Sequence, residues 1–258
     1  MGVVELLLVR HGESEGNVAA AAAVAAGAEV IEIGLRDADV PLSPTGVEQA
    51  TALGKVLGDW ISDDNPASVW SSPYVRAEQT GRTALDVAGL DLPILIDERI
   101  RDRELGVLDL LTAEGVVARY PEEAERRRWL GKFYHRPSGG ESWADLILRV
   151  RSFLADLDRV EDGHRVMIVC HDVLVLTFRY ICERLTEQQM LEIGATTPVK
   201  NVSVTRLTRP PGELSWTLET FNDVSHLEEQ DVSVTRHPGE RSSAPNNDVA
   251  PEESTRVS

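Results

Sequence analysis

Two histidines and two arginines stand in this chain where their side chains could handle a phosphoryl group. His11 lies in Arg10-His11-Gly12-Glu13-Ser14, followed by Asn17. Arg76 lies in Ser72-Pro73-Tyr74-Val75-Arg76-Ala77-Glu78-Gln79-Thr80, and His171 closes Val166-Met167-Ile168-Val169-Cys170-His171. A neutral imidazole is a good phosphoryl acceptor, because one ring nitrogen keeps a free lone pair while a backbone carbonyl can fix the N–H of the other. His11 is the candidate for that role. Arg10 and Arg76 would offer rigid forks of N–H donors to the phosphoryl oxygens, and an N–H of His171 would add a donor where charge spreads in the transition state. One histidine after a strand is more often a structural group. Four such residues on one sheet rim make a phosphate pocket.

The elements that must position them are visible as patterns. Short apolar runs at Val4–Val9, Ala67–Trp70, Leu92–Ile96 and Arg165–Cys170 have strand length, and segments of helical periodicity separate them. That order predicts an α/β fold, in which ligands sit at strand C-termini. After Ser43-Pro44, the residues Ala50, Leu53, Leu57, Trp60 and Ile61 recur on one helical face, with Ser43 as N-cap and Pro44 as the first helical residue. Trp143, Leu146, Ile147, Val150, Phe153, Leu154 and Leu157 repeat the pattern, and Ser142 with Asp145 predicts a capping box. Asn201–Leu207 and Leu214–Phe221 read as a hairpin that extends the sheet antiparallel. From about His226 the pattern fades, which predicts one main domain over residues 1–227 and a disordered tail over 228–258. Truncation at about residue 230 is then expected to leave folding and activity nearly intact. Val202–Arg206 recurs verbatim as Val232–Arg236, and chance or a local duplication explains this more simply than an added edge strand.

Composition narrows the partners. A formal charge of −17 over 258 residues opposes a nucleic-acid or anionic-membrane surface, so an anionic substrate needs a local concentration of Arg and His. Cys170 and Cys182 show neither CxxC nor metal-ligand spacing, as expected of a reduced, cytoplasmic protein. Cys170 sits just inside a strand, where a thiol packs into the core more readily than it attacks. Val3–Val9 lacks a basic flank and the length of a signal peptide, and no other run approaches the roughly 20 apolar residues of a membrane span. Leu6 stands where a myristoylation signal at Gly2 would have Ser or Thr. No further Asp or Glu cluster suggests a metal, so neither metal nor cofactor is expected. A homo-oligomer is left open.

With these segments in view, the chain resembles the histidine phosphatase superfamily in its first branch, the group that contains cofactor-dependent phosphoglycerate mutase and fructose-2,6-bisphosphatase. Arg10-His11-Gly12 resembles the family signature, Ser72 to Thr80 its second motif, and the strand ending in His171 its third. Asp39 to Ala50, Gly139-Gly140-Glu141-Ser142, Asn222-Asp223 and His226-Leu227 continue the resemblance, which spans roughly residues 3–227. It implies a phosphoglycerate mutase-like, three-layer α/β/α sandwich with a mostly parallel central sheet. It also implies a substrate-covering lid inserted at about 107–139, the region that holds Arg126, Arg127, Arg128 and Trp129.

Two departures concern the proton donor. The family usually places Glu four residues before a Gly after the third strand, and counting back from Gly106 lands on Asp102, one methylene shorter. Asp172 follows the second histidine where the first branch commonly has Gly, and resembles the His-Asp pair of the acid phosphatase branch. Asp102 is the first choice, with Glu104 and Asp172 as rivals. A bound phosphate dianion and partial burial should raise the Asp102 carboxyl above its ordinary value of about 3.9. Asn17, Glu13 and Asp172 are expected to shape the substrate side of the pocket. The expected function is hydrolysis of a small phosphorylated substrate through phosphohistidine. Mutase-type transfer and an idle phosphate-binding scaffold are the alternatives.

Overall fold

The first strand, β1 (Glu5–Arg10), is buried throughout, and its alternation sets the layering: Leu6 and Leu8 enter one core, Leu7 and Val9 another. A strand that is apolar on both faces needs cover on both. The computed structural model describes residues 2–61 and 67–236. After β1 come α1 (Glu15–Ala25), α2 (Pro44–Leu57), β2 (Ala67–Ser71), α3 (Val75–Ala88), β3 (Ile94–Ile96), α4 (Ala113–Arg119), α5 (Pro121–Tyr134), α6 (Trp143–Val160), β4 (Arg165–Cys170), α7 (Asp172–Cys182), α8 (Glu187–Thr196), β5 (Val204–Thr208), β6 (Thr217–Asp223) and α9 (Ser225–Glu228). The six strands form one sheet in the order β3-β2-β4-β1-β5-β6. The first four are parallel, and the β5–β6 hairpin adds antiparallel to β1. No helix of the described residues is long and apolar enough to cross a membrane.

β4 repeats the division. Val166, Ile168 and Cys170 join Leu146, Val150, Phe153 and Leu157 of α6 and Leu174 and Phe178 of α7. Met167 and Val169 join Leu53 and Leu57 of α2 and Ala77, Ala84 and Leu85 of α3. Each fully buried Leu of these layers contributes about 1.5–3 kcal/mol. Local signals set the helix starts: Ser43 accepts from Gly46 N at 3.1 Å with Pro44 in the first turn, and Ser142 and Asp145 cap each other reciprocally.

The C-terminal expectation needs correction. Residues 228–236 take a defined course against the domain through Gln230, Val232 and Thr235, while 237–258, the rest of the expected tail, lie outside the described residues. Val232 packs on Ala52, Val224 and Leu227, and Gln230 donates to Ala52 O at 2.9 Å. Apart from Val232, polar and backbone contacts hold this stretch, so hydrophobic periodicity does not reveal it. The repeated pentapeptide takes two conformations: Val204 begins β5 and is buried, whereas Val232–Arg236 forms no strand and Val234 is 38% exposed.

Candidate active site

Strand register brings the polar ends together. Arg10 pairs with Cys170 and Ser71 with Val169, and the ladder continues one residue through His11 N to Cys170 O at 2.9 Å and Ser72 N to Val169 O at 3.0 Å. His11 and His171 therefore sit side by side, ring centroids 5.1 Å apart. The loop after β1 is clamped to α2 and α3. Gly12 N donates to Thr80 Oγ1 at 2.9 Å, Glu13 N to Gln49 Oε1 at 2.9 Å, and Ser43 N to Glu13 O at 2.9 Å. A Cβ on Gly46 would lie 2.0 Å from Glu13 O, so only glycine lets the first turn of α2 press on this loop.

His11 is buried, and its Nδ1 lies 2.7 Å from Gly12 O. A carbonyl can only accept, so Nδ1 carries the proton and Nε2 keeps its lone pair. Burial, then the charges of Arg76, His171 and Arg10, hold the imidazole well below its ordinary value of 6.5, and it stays neutral. Arg10 reaches back from the strand end to donate to Val199 O.

His171 is fully buried, with Nε2 2.8 Å from Ser72 Oγ. Ser72 Oγ also accepts from Tyr74 N at 3.2 Å, which leaves it a second lone pair and its own hydrogen for the His171 ring. His171 Nδ1 lies 3.1 Å from Asp102 Oδ2 but has no aligned hydrogen bond. Burial lowers the His171 imidazole, against the opposing pull of Asp102. The Tyr74 ring stacks edge-on at 5.2 Å from His171.

Arg76, on the first turn of α3, engages both of its terminal nitrogens. Its Nη1 donates to Asp37 O at 2.6 Å and Asp37 Oδ1 at 3.1 Å, and its Nη2 to Asp37 Oδ2 at 3.1 Å and Asp102 Oδ2 at 3.0 Å. Asp102 is thus the carboxyl that joins the cluster. Arg149 of α6 holds its loop through the carbonyls of Arg99, Arg101 and Asp102 at 2.6, 3.0 and 3.0 Å. The expected upward shift is reversed. Burial does act to raise the Asp102 carboxyl, but His171, Arg76 and the Arg103 N–H outweigh it and hold it well below the ordinary carboxylate range.

The remaining candidates divide. Glu104 is half-exposed and accepts from the Tyr74 hydroxyl at 3.2 Å, on the outer side of the pocket. Asp172 accepts from Val173 N at 2.6 Å at the start of α7, and its charge acts on Arg10. Glu13 accepts from Ser43 Oγ at 2.8 Å, which braces the nucleophile loop against α2. Asn17 spends its carbonyl on the Ser14 cap at 3.2 Å and on Asn201 at 3.4 Å. Cys170 points into the α6–α7 core, where burial pushes its thiol upward, away from nucleophilic use. In the expected lid, Trp129 is 87% exposed. Among the described residues no group of three or more His, Cys, Asp or Glu could hold a metal.

Three contributors carry no local signal in the sequence. Asp37 lies in a short 3₁₀ turn, Asp37–Asp39, that has no periodic tie to Arg76. Gln49 and Asn201 are fully buried amides that grip the loop after β1: Gln49 accepts from Glu13 N, and Asn201 Nδ2 donates to His11 O at 3.0 Å.

Known proteins share this fold. The family model of the histidine phosphatase superfamily (branch 1) matches residues 6–224. A 2,3-bisphosphoglycerate-dependent phosphoglycerate mutase of Rhizobium meliloti (strain 1021) is 31% identical over 200 residues, which are 76% of this chain and 88% of the mutase. Among solved structures, a mycobacterial glucosyl-3-phosphoglycerate phosphatase in complex with VO3 superposes with a TM-score of 0.67 at 25% identity, over 86% of this chain and 100% of that one. A putative alpha-ribazole-5'-P phosphatase of Escherichia coli shares the fold with a TM-score of 0.68 at 21% identity, over 86% and 97% of the two chains. From its paired histidines at adjacent strand ends to the extent of these matches, the chain belongs to the histidine phosphatase superfamily, branch 1.

Proposed function

We propose that this protein is a phosphomonoester hydrolase that works through a phosphohistidine at His11. The observation that carries the reading is the Gly12 carbonyl 2.7 Å from His11 Nδ1, which leaves the Nε2 lone pair among the donors of Arg10, Arg76 and His171. In the first step Nε2 bonds to phosphorus as the ester P–O bond breaks, and the leaving oxygen takes the proton of a carboxylic acid, assigned to Asp102. In the second, the same carboxylate takes a proton from water, which attacks phosphorus and releases phosphate and neutral His11. Asp102 is negatively charged without substrate, and a bound phosphoryl dianion supplies the charge that lets it hold a proton.

The mutase reading has its own support in the Rhizobium relative. Hydrolysis is favoured by the acidic rim near Arg76. Burial and the charges of Asp37 and Glu104 push the Asp109 carboxyl up, and Arg101 is engaged by Glu141 at 2.9 Å and Glu104 at 3.7 Å. Such a rim suits a small substrate with one phosphate and an uncharged alcohol better than one with a second anionic group. The test is phosphate release from a panel of phosphomonoesters beside a 3-phosphoglycerate mutase assay. His11→Ala should abolish turnover and any acid-labile, base-stable phosphoenzyme. A labelled phosphoenzyme that persists in that variant removes His11 from the role, and mutase turnover above hydrolysis selects the other reading.

A further inference from the structure

We infer that residues 230–236, which lie beyond the stretch matched to the family, form a strap that positions the His11 loop, with the Thr235 hydroxyl as its fastening point. The inference rests on the phosphohistidine reading for its kinetic consequence but not for its geometry. Thr235 Oγ1 donates to Asn201 Oδ1 at 3.1 Å and accepts from Gln49 Nε2 at 2.9 Å. Its carbonyl accepts from Asn201 N at 3.0 Å, and Gln49 Nε2 also reaches Ser233 O at 2.8 Å. The two amides that Thr235 orients are those that grip the nucleophile loop. Asn201 Nδ2 donates to His11 O and Gln49 Oε1 accepts from Glu13 N. A side-chain amide has one oxygen and one nitrogen, so each bond on the strap side fixes which end faces the loop.

The neighbouring turn shows that this anchoring works against backbone preference. Val202, a β-branched residue, is held at φ 52° while its N–H donates to Arg10 O at 3.1 Å. That conformation is disfavoured for such a side chain and persists only where its surroundings impose it. Asn201, held by the strap, is the adjacent residue. Thr235 is therefore a positioning residue, one that acts on His11 through Asn201 and on Glu13 through Gln49.

The test uses Thr235→Val, which keeps the shape and removes the hydroxyl, and Thr235→Ser, which restores it. The full-length chain is also compared with chains ending after Arg236 and after Gln230. Two quantities are read: the rate of phosphoenzyme formation from p-nitrophenyl phosphate, and the imidazole nitrogen resonances of His11, which need no reaction. T235V and the chain ending at Gln230 should form phosphoenzyme about tenfold more slowly with shifted His11 resonances, while competitive inhibition by phosphate moves less than twofold. T235S and the chain ending at Arg236 should match the full-length protein. T235V indistinguishable from wild type in both readouts overturns the inference, as does T235S impaired as much as T235V. If the wild type forms no phosphoenzyme, the proposed function fails on its own, and the His11 resonances alone decide on the strap.

Discussion

Asp37 grips Arg76 with both carboxylate oxygens, each 3.1 Å from a different terminal nitrogen of the guanidinium. Since Asp102 takes a further bond from the same fork, a phosphoryl group that uses Arg76 must share or displace these partners. Asp37→Asn should then bind inorganic phosphate and vanadate more tightly, by a factor of about 3 to 10, near 1 kcal/mol. Competitive inhibition constants measure this, and weaker binding in the variant would show that Asp37 instead holds Arg76 in its useful pose.

Leaving-group dependence probes the proton donor. Asp102→Asn should slow phosphorylation by alkyl phosphates by about 10² to 10⁴, while p-nitrophenyl phosphate, whose leaving group needs little proton assistance, loses less. Burst rates are required, because dephosphorylation uses the same carboxylate as a base. If Asp102→Asn keeps its alkyl-phosphate burst and Asp172→Asn loses it, the acid belongs at the start of α7.

The pH profile follows from the buried imidazoles. Burial lowers His11, His171 and His226 below 6.5 in the folded protein. Between those lowered values and 6.5 the unfolded chain binds protons that the folded one refuses, so stability is full above pH 6.5 and falls as the pH drops below it. Thermal melts should show Tm decreasing from pH 7.5 to pH 5, less steeply in His226→Gln. The acid limb of kcat/KM, corrected for substrate ionisation near pH 6, should lie below pH 6.5 because His11 stays neutral there. An acid limb above 6.5 contradicts a desolvated nucleophile.

Gly46→Ala tests the close approach of α2 to the catalytic loop. With a new Cβ 2.0 Å from Glu13 O, backbone must move, and we expect a loss of about 2 kcal/mol in stability together with reduced turnover. Gly27→Ala, where nothing lies within 4 Å of the added carbon, is the matched control, although its φ of +63° carries its own small cost. Equal stability of the two variants would mean that the loop yields freely.

The sheet and the meeting of His11 with His171 at its rim were legible in the sequence because they rest on short-range regularities. Polar residues close apolar runs at Arg10, Ser71 and His171, and Ser43-Pro44 and Ser142 announce helices. Asp37, Gln49, Asn201 and Thr235 were not legible, since each acts through individual hydrogen bonds between segments 34 to 190 residues apart. Asp102 was placed by family spacing, but its charge state depended on Arg76 and His171, which no local pattern could supply. The fading periodicity after His226 suggested an early end to order because a strap held by amides, carbonyls and the single apolar contact of Val232 shows no repeating apolar face.

β1 leads directly into His11, yet its two neighbours come late: it pairs with β4 at residues 165–170 and with β5 at 204–208. Closing loops of that length before any ladder bond forms is slow, and non-local strand pairing is the step that limits sheet proteins. On the ribosome the first strand therefore waits through most of translation with its aliphatic faces uncovered. A nascent chain stalled before β4 has emerged should be protease-sensitive throughout its N-terminal part and depend on chaperone cover, with the catalytic rim among the last features to take shape.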